Sequence, residues 1–177
     1  NKMTVTVNRS RNSYNLSCKI TNSSGALFDF SKSTGYSLRD SAGLFTFDRV
    51  LALEDYSLTL ASGNLDIDLY DLGTLDVGSG PGRDNLGLAQ ANAKICAILI
   101  ENQSTSAGDL RIDNTVANAW TGILPASATL DLDAGSYMNC VFGATGKPVT
   151  DASSHILRLS AQGDDCTINV VFFSSQT

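Results

Sequence analysis

The feature that most constrains this chain is the run Lys94-Ile95-Cys96-Ala97-Ile98-Leu99-Ile100-Glu101-Asn102. It is almost continuously apolar, rich in isoleucine and bounded by polar residues. A run of this length is too short for a typical helix, so it reads as a β-strand buried on both faces, the central strand of the fold. Asp109-Leu110-Arg111-Ile112-Asp113 follows, with its apolar and polar residues alternating, and reads as a half-buried strand. The two together suggest a hairpin closed by residues 103–108.

The same period of two recurs along the chain. Met3 to Val7 and Tyr14 to Ile20 alternate on either side of a polar turn and suggest an opening hairpin. Residues 21–43 are rich in Ser, Gly and Asn and read as a long mobile loop anchored by Leu27-Phe28-Asp29-Phe30. Leu44 to Leu51, Tyr56 to Leu60, Leu65 to Leu72, Thr129 to Asp133 and Tyr137 to Phe142 continue the strand pattern. His155 to Ala161 and Cys166 to Phe173 flank Gln162-Gly163-Asp164-Asp165 and suggest a closing hairpin. One short helix is expected over residues 84–93, with Asp84 as N-cap and Leu86, Ala89 and Ala93 on one face. Many short strands with almost no helix predict an all-β fold, a β-sandwich or jelly roll with that one helix. The expected organisation is a single domain over 1–177, with 1–43 forming an N-terminal hairpin and mobile loop.

Composition bears on partners. With 12 Lys and Arg against 18 Asp and Glu, the net charge is -6. That balance argues against capture of nucleic acid or an anionic membrane, which require concentrated cations. The basic residues Lys2, Arg9 and Arg11 are diluted by Asn and Ser. No run approaches the roughly 20 apolar residues of a membrane-spanning helix, and no apolar segment follows the first positive charges as in a signal peptide. Cys18, Cys96, Cys140 and Cys166 lack the close spacing of a zinc or redox motif and are expected as free thiols, Cys96 and Cys140 within apolar strands.

Catalytic patterns are sparse. A Ser-His-Asp arrangement would have to use His155, the sole histidine, with Asp151 upstream. Asp66 with Asp68, Asp131 with Asp133, and Asp164 with Asp165 could in principle serve a glycosidase or calcium. Alternation explains the first two pairs more simply, as outward residues of half-buried strands. Gly78-Ser79-Gly80-Pro81-Gly82-Arg83-Asp84 lacks the Lys-Ser/Thr of a phosphate loop, and Pro81 removes a donor. Trp120, alone in a polar loop, reads first as an anchor folded onto the core, with a stacking platform for a sugar, the one candidate ligand contact, as the alternative. Asn-x-Ser sequons stand at Asn8, Asn15, Asn22 and Asn102. No catalytic residue, cofactor or metal is expected.

The segments Leu53 to Leu60, Gly108 to Ile112 and Val149 to Leu157 resemble stretches of phage-like and environmental-virus virion structural proteins of β-sandwich type. The resemblance extends in layout from Leu53 to Phe173. It implies a non-enzymatic protein, capsid-associated or part of a tail, located in the virion and acting through subunit assembly alongside other virion proteins. It further implies a homo-oligomer, a trimer first and a pentamer second. Phe28, Phe30, Phe45 and Phe47, concentrated beside a Ser- and Gly-rich region, are the candidate subunit interface. A secreted or cell-surface carbohydrate-binding or adhesion module is the alternative.

Overall fold

A computed structural model describes residues 2–10, 13–21, 27–33, 49–76, 81–83, 91–105, 108–142 and 145–176. The chain divides into two compact units, 1–44 and 45–177.

The N-terminal unit is an antiparallel meander of β1 (Lys2–Ser10), β2 (Ser13–Thr21) and β3 (Leu27–Ser33). The expected β1–β2 hairpin is present, with Val5 opposite Cys18. The stretch expected as a loop instead adds a third strand, Leu27 opposite Thr21 and Ser33 opposite Asn15. Strand formation here follows the short apolar anchor rather than the surrounding Ser and Gly, because pairing with β2 satisfies the backbone of both.

The second unit, the body, contains β4 (Arg49–Leu58), β5 (Asn64–Asp68), β6 (Lys94–Asn102), β7 (Asp109–Asp113), β8 (Thr129–Leu132), β9 (Tyr137–Val141), β10 (Lys147–Pro148), β11 (Ile156–Gln162) and β12 (Cys166–Ser175). These strands form two antiparallel sheets packed together. In the first, β6 lies between β12 and the pair β9 and β10, and β4 flanks β12 on its far side. The second has the order β5-β11-β7-β8. The pairings are nested: β4 with β12, β5 with β11, β6 with β9, and β7 with β8. One long hairpin whose tip is the β7–β8 connection is thus rolled up, and β12–β6 and β11–β7 contacts close each sheet. This is the jelly roll, two Greek keys in two sheets.

Two expected hairpins are therefore absent. β6 and β7 belong to different sheets, and so do β11 and β12. β6 to β7 and β11 to β12 are therefore crossings between the sheets rather than hairpins. Alternation reports which face of a strand is buried, but both sheets bury one face in the same core, so it does not report the neighbour. Of the strands expected at Leu44–Leu51 and Tyr56–Leu60, residues 44–48 lie outside the described residues, and the rest up to Leu58 form one strand, β4, interrupted by a bulge. Leu53 faces Val170 and Tyr56 faces Ile168, leaving Glu54 and Asp55 opposite Asn169 alone. Asp55 takes a φ of 50°, and its N–H donates to Asn169 Oδ1 at 3.0 Å. The expected helix falls largely outside the described residues. Its described end, 91–93, is not helical.

The core lies between the sheets. Ile98 and Ile100 of β6 meet Val170 and Phe172 of β12, Leu51 and Leu53 of β4, and Ile67, Leu110, Ile112, Leu157 and Leu159 from the second sheet. The alternate residues of the first sheet, Ala97, Leu99, Val171 and Phe173, are buried as well. β6 is thus covered on both sides, as its unbroken apolar run requires. Three buried asparagines tie loops to this frame. The Asn102 side chain donates to the carbonyls of Gly108 and Leu132 and accepts from Ser104 N. Asn114 donates to those of Trp120 and Leu124, and Asn92 donates to that of Leu69 while accepting from Ser174 Oγ. Such polar groups are tolerated in a core because each finds partners. Cys96, Cys140 and Cys166 are free thiols, and burial pushes the Cys166 thiol up to about 11, with Asp165 adding to the shift.

Candidate functional site

Trp120 sits in the connection between β7 and β8, where the sequence leaves an anchor and an open platform as its two readings. The residue is 1% exposed. The indole N–H donates to the Pro148 carbonyl at 2.9 Å, and the ring packs edge-on to Phe142 at a centroid distance of 5.8 Å. Backbone bonds fix the same point: Trp120 N–H donates to the Ile156 carbonyl, and its own carbonyl accepts from Asn114. A Cβ added at Gly122 would run into the indole ring. The alternative stacking platform is therefore covered, and Trp120 works as the anchor the sequence favours, folding residues 114–128 onto the sandwich. Burial of a large ring with its one donor satisfied is the usual arrangement for an interior tryptophan.

His155 immediately precedes β11 and is also buried. Its backbone N–H donates to the Asn118 carbonyl and its carbonyl accepts from Leu69 N–H. Its Nε2 stands 3.7 Å from Asp68 Oδ2, beyond hydrogen-bond distance, and its Nδ1 is buried with no hydrogen-bond partner. Asp68 already accepts from Tyr70 N–H at 2.9 Å. Asp151, considered from sequence as a partner, is exposed. The geometry is that of a histidine built into a junction of three connections.

The carboxylate pairs are likewise committed. Asp66 and Asp131 point outward on β5 and β8, as alternation requires. Arg158 forms a two-pronged pair with Asp66, both contacts 2.6 Å, and Arg111 forms another with Asp131 at 2.7 and 2.8 Å. These hydrogen bonds raise both guanidinium pKa values. The Arg111 contact holds Asp131 below the usual carboxylate range, against a smaller opposing effect of burial. Burial pushes Asp113 up, but hydrogen bonds from Thr115, helped by Arg158 and Arg111, outweigh it and leave the group lowered. Asp164 accepts from Asp165 N–H and Asp165 from Leu60 N–H, so that pair shapes the turns at one end of the sandwich. Two carboxylates free to work on a bound sugar are not brought together by these pairs. Among the described residues no three of His, Cys, Asp and Glu are grouped as metal ligands.

Phe28 and Phe30 fall on β3, opposite Ile20 and Cys18. Their rings, and all of Phe45 and Phe47, lie outside the described residues. So do most of the glycine-rich stretch 78–84 and Arg11. Asn102, in a sequon, is 0% exposed and hydrogen-bonded on both sides of its amide, so the folded chain offers no acceptor there. Sequence reasoning missed the exposed aromatic and aliphatic side chains of β9: Tyr137 is 50% and Val141 40% exposed. Their signal was present as a five-residue strand with no charged residue.

Comparison of the chain with family models, curated proteins and solved structures finds no match.

Proposed function

We propose that this chain is a non-enzymatic structural subunit of a phage-like virion, capsid-associated or in the tail, that acts by packing against copies of itself and other virion proteins. The observation that carries this reading is the nested jelly-roll pairing of the body, an architecture recurrent in capsid subunits and also used by lectins and cupins. A fold alone does not fix an activity, so the side chains must favour one use over another. Here the conspicuous polar groups are spent on structure. Asp66 and Asp131 hold arginines, Asp164 and Asp165 cap turns, and Trp120 is an internal anchor. The carbohydrate-binding alternative rested on Trp120 as an open platform, and it loses that support.

A structural subunit works by repetition, and closed symmetric assembly is the general means of using one surface many times. Size exclusion coupled to light scattering, from low to high micromolar concentration, is the test. The expected result is a discrete multiple of the 18.7 kDa protomer that gives closed particles or rings by negative-stain electron microscopy. A monomer at every concentration would overturn the reading.

A further inference from the structure

A one-residue slip in a half-buried sheet is costly because it turns the apolar face outward, but a two-residue slip returns the same set to the core. The second sheet is open to that ambiguity. Its strands are short, and their inward residues are almost interchangeable: Leu65 and Ile67 on β5, Leu157 and Leu159 on β11, Leu110 and Ile112 on β7, Leu130 and Leu132 on β8. Shifting neighbours by two residues still sets one aliphatic side chain opposite another. The outward residues must therefore distinguish the registers.

Those residues include five charges that cross all four strands in an unbroken path of alternating sign. Asp66 on β5 meets Arg158 on β11 through two hydrogen bonds. Arg158 lies opposite Asp113 on β7. Asp113 shares a face with Arg111, two positions away on the same strand. Arg111 meets Asp131 on β8 through two further hydrogen bonds. Each guanidinium pKa is raised first by the carboxylate bonded to it, and Asp113 adds to the shift of both. Asp113 is thus the centre of the path, joining two pairs that would otherwise be separate.

The path does not survive a slip. Between β7 and β8, a two-residue shift sets Asp109 opposite Asp131 in one direction and Asp113 opposite Asp131 in the other. Between β11 and β7, one direction sets Arg158 opposite Arg111, and the other leaves it opposite Thr115. Between β5 and β11, one direction gives Arg158 to Asn64 and the other to Asp68, whose carboxylate is already spent on the Tyr70 N–H. Like charges directly opposite one another destabilise a pair of strands. We infer that the path Asp66-Arg158-Asp113-Arg111-Asp131 is the register lock of the second sheet, rejecting the two-residue slips that its apolar face tolerates. Exposed pairs add little stability one at a time, so the lock acts mainly through what the wrong registers bring together. It goes beyond the assembly reading and stands without it.

Charge substitutions in the full chain test the lock, with denaturant melts reading folding and cross-strand nuclear Overhauser contacts reading register. Asp113→Asn removes the central charge but keeps an oxygen for the Thr115 N–H. It should lower the folding equilibrium constant about threefold at low ionic strength, and about 1 M salt should remove most of that difference. Asp113→Arg sets a cation opposite Arg158 and beside Arg111. It should lower the constant at least about tenfold, or replace the native contacts of Ile112 with Leu159 and Leu130 by those of a slipped register. Inverting the whole path, with Asp66→Arg, Arg158→Asp, Asp113→Arg, Arg111→Asp and Asp131→Arg together, restores alternation of sign in the native register. That variant should recover at least about tenfold over Asp113→Arg alone and show the native Ile112 contacts. A silent Asp113→Asn or Asp113→Arg, a loss in the asparagine variant that salt leaves unchanged, or an inverted path no better than Asp113→Arg would overturn the lock.

Discussion

Trp120 shows how much one side chain can decide and how little its sequence neighbours reveal. Its surroundings in the chain are polar and small, so nothing local marks it as interior. The pocket is built by Phe142 and by the Pro148 carbonyl, 28 positions away. Trp120→Ala should cost about 3–5 kcal/mol in denaturant melts, and Gly122→Ala should destabilise as well, by forcing the ring aside. The charged residues were more legible. Alternation placed Asp66 and Asp131 outside, and their arginine partners sit on neighbouring strands at matching register. Asp131 and Asp113 are held below the ordinary carboxylate range in the folded chain. Their contribution to stability is therefore present at neutral pH and is lost as pH falls through the lowered folded values. Urea midpoints at about pH 7 and about pH 3 should show that loss, and Asp131→Asn should reduce the difference between the two.

At the scale of elements, β6 was legible because no other run is so continuously apolar, and only a strand covered on both faces needs that. Its partners were not. β12 lies beside it although some 70 residues separate them, and β7, next in sequence, lies in the other sheet. A short loop between two alternating segments suits a hairpin and a crossing equally well, since either conceals the same face. The bulge in β4 was missed for a related reason. The apolar pattern breaks at Glu54 and Asp55, whereas here the Asn169 side chain meets the Asp55 N–H and keeps the strand going. β3 was missed because Ser and Gly around a short apolar patch read as loop. The position of β6 predicts that Ile98→Ala costs about 2–5 kcal/mol in denaturant melts, while a substitution at exposed Leu60 stays near zero.

For the whole molecule, the fold class followed from the number of short alternating strands and the lack of helical periodicity, and the described residues contain no helix. Which sandwich it would be depended on long-range pairing, which a period of two does not encode. The candidate site was legible only in part: the outward aspartates were placed correctly and the anchor role of Trp120 was the favoured reading, but the exposed Tyr137 and Val141 of β9 passed unremarked. What the fold implies for function depends on the nested pairing, above all on β6 lying between β12 and β9. Cross-strand nuclear Overhauser contacts measure that arrangement directly. The account predicts contacts from Ile100 to Val170 on one side and to Met138 on the other, with none between 94–102 and 109–113 of the kind paired strands give. A ladder of contacts joining 94–102 to 109–113 would contradict it, returning those strands to a simple hairpin and removing the jelly roll.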